Sequence, residues 1–384
     1  MNHNTMNNII NPYGSFGFEI NFFPVGEGER SGDAICMRWG YNLQGNHPDQ
    51  FVMVVDGGFK ENGDAIADHV LSYYGTDTVN LMVSTHPHSD HIGGLHVVMD
   101  RLSVRDLWIH QPWTHQGLAN LFHDGRITNR SIRRRLIEGL ESAYDLVKKA
   151  KQKQVCVREP FAECQSDCLC DVSISILGPS RLFYDSLLPG FAATPGSDDS
   201  FDGKRIEFIE SWLVDRSLNP LDENGATSAE NNSGVVLYLR LPDGFGGILL
   251  TGDAGIPALR NICDAASRLN IDFPRELHLL QLPHHGSIQN LTPGILDALF
   301  GPKSQVMPAD GFQRIAFASV GKDSNCRHPS KHVINALCDR NVQCFETKGK
   351  FIFHWLGFVP GLAGYTPMTP LGPYAKVEET YVKQ

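Results

Sequence analysis

A short histidine-rich segment places the strongest constraint on what this chain can fold into. Residues 84–94 read STHPHSDHIGG, and six consecutive positions within them contain His86, His88, Asp90 and His91. Each of these side chains is costly to bury by itself, because its polar atoms lose their hydration. Such a cluster is either a solvated turn or a set of ligands for metal ions. The rest of the chain has to discriminate between these interpretations.

The segment before the cluster predicts how its side chains point. VNLMVSTH has the composition of a buried strand that runs directly into the histidines. Alternate strand residues point the same way, so we expect His86 and His88 to contact one ion. Asp90 and His91 lie beyond a turn and face a different position. Imidazole and carboxylate ligands suit zinc, manganese or iron, and two pairs of ligands predict two adjacent ions.

Polar residues also end several other predicted strands. Asp56 ends VMVVDGG, Asp253 follows ILLTG, and His284 and His285 follow LLQLP. His328 lies in NCRHPS, just before a predicted helix. Side chains at the ends of neighbouring strands can form an open metal site, because the rigid sheet fixes their positions. The recurrence of ligand-type residues at strand ends therefore favours the metal interpretation, with distant loops supplying further ligands.

The order of strands and helices predicts an α/β (α+β) fold. Apolar strands without alternation indicate sheets that are covered on both faces. Two mixed sheets packed together with helices outside would form an αββα sandwich. The clearest predicted helix covers residues 129–154, and VQCFETKGKFIFHW predicts a closing hairpin.

No linker or internal repeat divides the chain, so we expect one principal domain. Its boundaries are predicted at residues 18–359, with insertions near 120–155 and 194–232. The second insertion is rich in Ser, Asp, Asn and Gly. A flexible N-terminus would occupy residues 1–17 and a C-terminal tail residues 360–384.

Composition restricts the compartment and the partners. The chain has 384 residues, nine cysteines and a formal net charge of −10. An odd number of scattered cysteines, with no apolar run of membrane length and no leader pattern, predicts a cytoplasmic chain without a membrane partner. The acidic balance counts against indiscriminate coating of nucleic acid, although basic residues on the predicted helix at 129–154 could still contact phosphates.

These motifs together resemble a known family. THPHSDHIGG matches the HxHxDH motif of the metallo-β-lactamase fold, and TGDAG resembles the motif of its metal-bridging aspartate. INFFPVGEGERSGDAI resembles the VGQGD opening of the hydrolase domain of the late competence protein ComEC. LLQLPHHGS and ASVGKDSNCRHP resemble later motifs of that domain. The resemblance extends from about residue 18 to residue 356.

The resemblance implies roles for the residues of the cluster. His86 and His88 would bind the first metal ion, and Asp90 and His91 the second. Asp253 would bridge the two ions. The cofactors would be two divalent metal ions, zinc or manganese.

The same resemblance extends to residues around the cluster. His284 is the favoured further ligand, with His285 and His328 as alternatives, and Asp56 would orient the ligands from behind. Many family members carry another histidine before the bridging aspartate, but this chain has none between His123 and His278. Asn232, in ENNSGVVLYL, would take a weaker position near the first ion.

The implied reaction is hydrolysis by a metal-activated water. Asp90 would help to position the nucleophile, and His285 or His328 would protonate the leaving oxygen or bind a phosphoryl oxygen. The leading hypothesis is a phosphodiesterase that cleaves nucleic acid, with DNA favoured. Two alternatives remain: an enzyme for a small phosphodiester, such as a phosphocholine ester or a cyclic nucleotide, and a catalytically weak regulatory module that binds metal. A protein partner or an oligomer is compatible with each.

Overall fold

A computed structural model describes residues 15–374. Its gaps are at residue 29, residues 46–47, 123–126, 165–166, 193–220 and 222–224, residue 243, and residues 305–312, 324–327 and 362–363. Most of the predicted insertion at 194–232, most of the predicted N-terminal segment and the end of the predicted tail therefore lie outside the described residues.

Within the described residues the chain forms fourteen strands and eleven α-helices. The strands are β1 (Phe16–Phe22), β2 (Ala34–Tyr41), β3 (Asp49–Gly57), β4 (Thr78–Val83), β5 (Ser103–Trp108), β6 (Cys156–Arg158), β7 (Asp167–Leu169), β8 (Val172–Gly178), β9 (Val236–Arg240), β10 (Gly247–Leu250), β11 (Leu277–Gln281), β12 (Arg314–Ala318), β13 (Val342–Glu346) and β14 (Ile352–Gly357). The helices are α1 (Asn62–Ser72), α2 (Ser89–Ile92), α3 (Leu95–Arg101), α4 (Asn129–Gly139), α5 (Glu141–Gln152), α6 (Arg181–Leu187), α7 (Ala229–Asn232), α8 (Ile256–Arg268), α9 (Phe273–Glu276), α10 (Pro293–Phe300) and α11 (Lys331–Cys338).

The strands form two seven-stranded mixed sheets. The first has the order β14-β1-β2-β3-β4-β5-β6, and the second the order β13-β12-β11-β10-β9-β8-β7. In the first sheet β3 to β6 are parallel, and in the second sheet β10 to β13 are parallel. The remaining pairs in both sheets are antiparallel.

Three apolar cores hold these layers together. Alternate residues of one strand contribute to different cores, because successive side chains point to opposite faces. On β3, Met53 and Val55 face the core between the sheets, whereas Val52 and Val54 face helices. The inter-sheet core draws on both sheets, the second core packs helices such as α1, α3 and α5 on the first sheet, and the third packs α8, α10 and α11 on the second. The predicted αββα sandwich is confirmed.

The predicted closing hairpin is wrong. Strands β13 and β14 are consecutive in the chain, but β13 pairs with β12 in the second sheet and β14 pairs with β1 in the first. The segment between them carries the chain from one sheet to the other. A local pattern of two strands and a turn carries no information about which sheet each strand joins.

The predicted single helix over residues 129–154 is also corrected. The structure has two helices, α4 and α5, separated by Leu140 with φ −114° and ψ 36°. Gly139 precedes the break, and glycine is a poor helix former. Both helices bury their apolar faces against the first sheet, so the helical periodicity continues through the break. Among the described residues, no helix has the length and apolarity needed to cross a membrane.

Candidate metal centre

The predicted ligands gather where parallel strands of both sheets end. Asp56 lies at the end of β3, and the 84–91 segment follows β4, its parallel neighbour. Asp253 follows β10, and the PHHG turn follows β11, which is again the parallel neighbour. The backbone N–H of Val235 donates to the carbonyl of Thr85, which joins the two sheets beside the site. The same edge of the sandwich therefore carries all of these side chains.

The first ligand group consists of His86, His88 and Asp253. The His86 Nε2 atom lies 3.2 Å from Nδ1 of His88 and 3.7 Å from Oδ2 of Asp253. The predicted grouping of the two histidines is thus present, but its structural premise is wrong. Strand β4 ends at Val83, and both histidines lie in the loop that follows. The loop brings the rings together through backbone curvature instead of strand alternation.

The second ligand group consists of Asp90, His91 and His285. The His91 Nε2 atom lies 3.8 Å from Oδ2 of Asp90 and 3.4 Å from Oδ1 of Asp253. His91 and His285 are buried, whereas Asp90 is partly exposed at the rim. Asp253 therefore faces both groups.

Asp56 fixes the orientation of two histidines. Its Oδ2 atom accepts hydrogen bonds from Nδ1 of His91 at 2.8 Å and from Oγ1 of Thr85 at 2.6 Å. Because the Thr85 hydroxyl donates to Asp56, it accepts from Nδ1 of His86 at 3.0 Å. Both imidazoles therefore carry a proton on Nδ1 and turn Nε2 toward the site. Asp56 thus contacts the Nδ1 side of His91 directly and reaches His86 through Thr85.

His284 and His285 follow β11 on a strained turn. Their φ values are 49° and 59°, in the left-handed region, and Gly286 follows with φ 83°. Non-glycine residues in this region are held by surrounding contacts and cluster at functional sites. The turn separates the two rings: His284 Nε2 lies 3.8 Å from Oδ2 of Asp253, and His285 joins the second group. Asn290 Oδ1 lies 3.3 Å from His284 Nδ1 and accepts a hydrogen bond from it.

His328 and Asn232 lie at the border of the centre. The ring of His328 stacks on that of His284 at 6.3 Å, and His328 is partly exposed. Asn232 is buried at the end of α7, where its amide donates to the carbonyls of Thr227 and Ser228. Its Oδ1 atom has no hydrogen-bond partner among the described residues. Helix α7 leads into Val235, which bonds the loop that carries His86.

Carboxylates dominate the charge of the site. Asp33, Asp56 and Asp253 are buried, and Asp90 lies at the rim. Within the described residues, the ion-pair partners of these four carboxylates are histidines. Several formal negative charges in a poorly solvated space require compensation, because unpaired buried charge is strongly unfavourable.

The pKa shifts follow from burial and from this charge. Burial raises the pKa of Asp33 to about 7, with the Asp253 carboxylate adding to the effect. Burial opposes the ionised form of Asp253 as well, but neighbouring histidines, led by His91, hold its pKa well below the usual value. Burial disfavours a charged His91, yet the surrounding carboxylates raise its pKa well above normal. Burial lowers the pKa of His285 to about 3, so this ring is neutral at neutral pH.

The donor atoms fit divalent cations. Four buried side-chain atoms at the centre have no hydrogen-bond partner among the described residues: His91 Nε2, His285 Nδ1, Asp253 Oδ1 and Asp33 Oδ1. Buried polar atoms without partners are rare in folded proteins and call for a ligand or an ion. Imidazole nitrogens and carboxylate oxygens are donors that zinc and manganese accept. Cations at this place would compensate the carboxylates and replace the proton on His91.

Sequence reasoning missed four residues that support the centre. Thr85 orients His86, and Asn290 holds His284 while its Nδ2 donates to the carbonyls of Asp253 and Ala254. Gln281 Oε1 accepts from the N–H groups of Thr251 and Gly252, and its Nε2 donates to Asp33. A polar residue at the very end of the largely apolar strand LHLLQ was an available signal for Gln281. Asp33 lies in the SGDAI segment before β2, and the local sequence around Asn290 gives no such signal.

The histidine cluster lies in a segment that matches a known family. Residues 46–150 match the profile of the metallo-beta-lactamase superfamily. No curated protein matches the chain. Solved structures that it resembles include a diphosphatase from the PhnP family, with 10% identity over 90% of this chain and 100% of that chain and a TM-score of 0.40. The metallo-beta-lactamase of Pontibacter korlensis has 14% identity over 67% and 83%, with a TM-score of 0.29. The Rm3 metallo-beta-lactamase has 12% identity over 73% and 84%, with a TM-score of 0.31.

The fold and the site define a two-sheet sandwich with a histidine–aspartate centre at one edge. The matched segment contains β3, β4 and the whole HPHSDH cluster, which form the first half of that centre. This segment of the chain is similar to the metallo-beta-lactamase superfamily.

Proposed function

We propose that this protein is a metal-dependent phosphodiesterase that cleaves DNA with two divalent ions, zinc or manganese. The observation that carries the proposal is the pair of ligand groups around Asp253. His86 and His88 face this carboxylate from one side, and His91 with His285 from the other. Two sites that share one carboxylate would hold two cations close together, as in two-metal hydrolysis of phosphodiesters.

The metals would supply charge stabilisation at the phosphoryl group and activation of the attacking water. Residues at the rim would handle the remaining proton transfers. The partly exposed carboxylate of Asp90 would orient the attacking water, and His328 would protonate the leaving oxygen. His285 is less suited to the second task, because it is a buried, neutral member of the second ligand group.

The surroundings of the centre support a polyanionic substrate. Leu140 and Ala143, at the junction of α4 and α5, line the same small pocket as His86. The junction of these two helices therefore lies beside the loop of His86. Several basic residues of these helices have local partners, as Lys149 does with Asp100 at 2.7 Å. Arg130 and Arg135 are exposed and make no ion pair within the described residues, so they are the best candidates for contacts with phosphates.

The order of motifs supports the choice of DNA. HxHxDH, TGD and HHGS occur in the sequence in the order found in the ComEC hydrolase domain. The ComEC resemblance concerns the hydrolase motifs, so the proposal includes no transport of DNA.

A cleavage assay tests this function. Metal-stripped protein would be compared with protein supplied with Mn²⁺ or Zn²⁺, on linear and circular DNA in single- and double-stranded form. Asp253→Asn would remove the shared carboxylate charge, and Asp264→Asn, on the exposed face of α8, is the matched control. We expect metal-dependent cleavage that falls at least about a hundredfold in Asp253→Asn and is unchanged in Asp264→Asn.

Each outcome has a clear meaning. Cleavage of circular DNA would identify internal cutting. Protein that binds both metals yet cleaves none of these substrates would overturn the proposal, and small phosphodiesters would be assayed next. Cleavage that survives in Asp253→Asn would overturn the assignment of the reaction to this centre.

A further inference from the structure

A fourth carboxylate reaches the centre from a part of the chain that the HxHxDH motif does not include. Asp33 lies just before β2, more than fifty residues ahead of His86, and only 1% of its surface is exposed. Its Oδ2 atom accepts a hydrogen bond from Nε2 of Gln281 at 2.7 Å and lies 4.0 Å from Nδ1 of His91. Its Oδ1 atom has no hydrogen-bond partner among the described residues.

Two neighbours of Asp33 also have a buried ligand-type atom without a hydrogen-bond partner among the described residues. Asp33 forms a group with Asp253 and His285 in which one ligand-type atom of each residue lies within 4.8 Å of the others. Asp253 Oδ1 and His285 Nδ1 are likewise buried without a partner. Two carboxylates would repel each other at this separation, and no lysine or arginine pairs with either within the described residues. A cation between the three side chains would offset this repulsion, in addition to the neighbouring imidazole of His91.

We propose that Asp33 is a further ligand of the second metal ion and binds it together with Asp253 and His285. The inference rests on the proposed metal-dependent function, but it concerns metal binding and not the substrate. Gln281 serves this role by holding Oδ2, which leaves Oδ1 directed at the group. The same amide side chain also accepts from the backbone of Thr251 and Gly252, so it ties Asp33 to the loop of Asp253.

The structural alternative is that Asp33 only braces the loops through Gln281. The two roles predict different effects on metal binding. If Asp33 is a ligand, its replacement by the neutral isostere Asn removes a charged oxygen from the second ion and weakens its binding, while relief of the repulsion with Asp253 preserves the metal-free protein. If Asp33 is only a brace, the replacement weakens its hydrogen bond with Gln281 and leaves the ligands of the second ion in place.

The test counts metals and measures stability for wild-type protein, Asp33→Asn and a matched control. Glu19→Gln is that control, because Glu19 is also a fully buried carboxylate but pairs with Arg38 on β2, away from the cluster. Metal-stripped proteins would be titrated with Co²⁺, and bound ions would be counted while the visible absorption of the Co²⁺ sites is followed. Thermal midpoints would be recorded with and without metal.

We expect Asp33→Asn to bind the second Co²⁺ at least about tenfold more weakly and to change its absorption band, with the first ion unaffected. Its metal-free midpoint should equal or exceed that of the wild type. Glu19→Gln should bind two ions with the wild-type spectrum. If Asp33→Asn fails to fold, Asp33→Glu, which keeps the charge and moves it by one methylene, should still change the second site.

Binding of two Co²⁺ ions by Asp33→Asn with wild-type affinity and spectrum would overturn the inference, as would a lower metal-free midpoint with unchanged binding. This failure is distinguishable from failure of the proposed function. Wild-type protein that binds two ions without cleaving DNA contradicts the nuclease assignment and leaves the Asp33 test intact. Active enzyme with an unaffected second site in Asp33→Asn contradicts the ligand assignment alone.

Discussion

Asp56 accepts a hydrogen bond from Nδ1 of His91 at 2.8 Å, and both side chains are fully buried. The contact orients His91 so that its Nε2 atom faces Asp253. Asp56 has φ 55°, an unusual value for a non-glycine residue, and this backbone turns the carboxylate toward the loop after β4. One carboxylate at the end of β3 thus aligns candidate ligands in the segment that follows the neighbouring strand β4.

Thr85→Val tests the indirect arm of this arrangement. The variant keeps the size of the side chain but removes the hydroxyl between Asp56 and His86, so Nδ1 of His86 loses its acceptor. We expect the affinity for the first metal ion to fall roughly 10- to 100-fold, as for other residues that orient metal ligands. Thr347→Val is the control, because this equally buried hydroxyl bonds the backbone of Val320. Equal metal affinity in both variants would show that the Thr85 hydroxyl does not help to orient His86.

Gly286→Ala tests the turn that carries the paired histidines. Gly286 has φ 83°, and an added Cβ would lie 2.6 Å from Cβ of Pro329, next to His328. Backbone strain and the overlap should together lower the free energy of unfolding by roughly 2–5 kcal/mol. Gly301 has φ 84° with nothing within 4 Å of an added Cβ, so Gly301→Ala should lose only roughly 1–3 kcal/mol. Denaturant titration of both variants measures the difference, and equal losses would show that the overlap is relieved at no cost.

A pair of neutral histidines between the sheets predicts that the free energy of unfolding falls at acidic pH. His278 on β11 donates from Nδ1 to the carbonyl of Gln313, so its Nε2 accepts from Nε2 of His354 on β14 at 3.0 Å. Burial lowers the pKa of His278, and lowers that of His354 to about 3. The unfolded chain binds protons from about pH 6.5 downward, while the folded pair does not. The free energy of unfolding should therefore fall as the pH drops from about 6.5 toward 3.

His354→Gln checks this dependence. Glutamine can still donate to His278 but does not titrate, so the variant should lose less stability on acidification. The expected change in slope is up to about 1.4 kcal/mol per pH unit for the one titrating group removed. Chemical denaturation between pH 4 and pH 7 measures both slopes. An unchanged slope would show that His354 takes up no fewer protons in the folded state than in the unfolded chain.

The helices beside the site predict salt-dependent binding of DNA. Arg130 and Arg135 on α4 are exposed, and removal of each arginine that pairs with a phosphate should reduce the slope of log K against log salt by about 0.9 for a duplex. The double variant Arg130→Gln and Arg135→Gln should therefore flatten the slope by up to about 2. The control is the double variant Arg268→Gln and Arg275→Gln. These exposed arginines lie on α8 and α9, on the side of the second sheet. If the two double variants show the same salt dependence, DNA does not contact Arg130 and Arg135.

The sequence predicted much of the fold because its signals are local and redundant. Apolar strands such as β3 contribute side chains to two cores, which explains why they lack alternation. The HPHSDH cluster is also local: its short spacing keeps His86 near His88 even though the loop conformation differs from the predicted strand. The failure at β13 and β14 concerned long-range pairing, which the residues of a hairpin-like segment do not encode.

The missed parts of the site depend on tertiary contacts. Gln281 and Asp33 are separated by 248 positions in the chain, and their hydrogen bond exists only because β11 and the start of β2 meet between the sheets. Asn290 reaches His284 across a loop with no recognisable motif. The separation of His284 and His285 into different groups follows from left-handed backbone angles that two consecutive histidines do not predict.

The proposal that two divalent ions bind around Asp253 is tested most directly by counting the metal ions that this centre binds. Metal-stripped protein would be titrated with Mn²⁺, with bound ions counted and their magnetic coupling recorded by electron paramagnetic resonance. We expect two coupled ions for each wild-type chain and loss of the coupled pair in Asp253→Asn, with Asp264→Asn unchanged. A single ion, no ion, or two ions that remain coupled in Asp253→Asn would contradict the proposal.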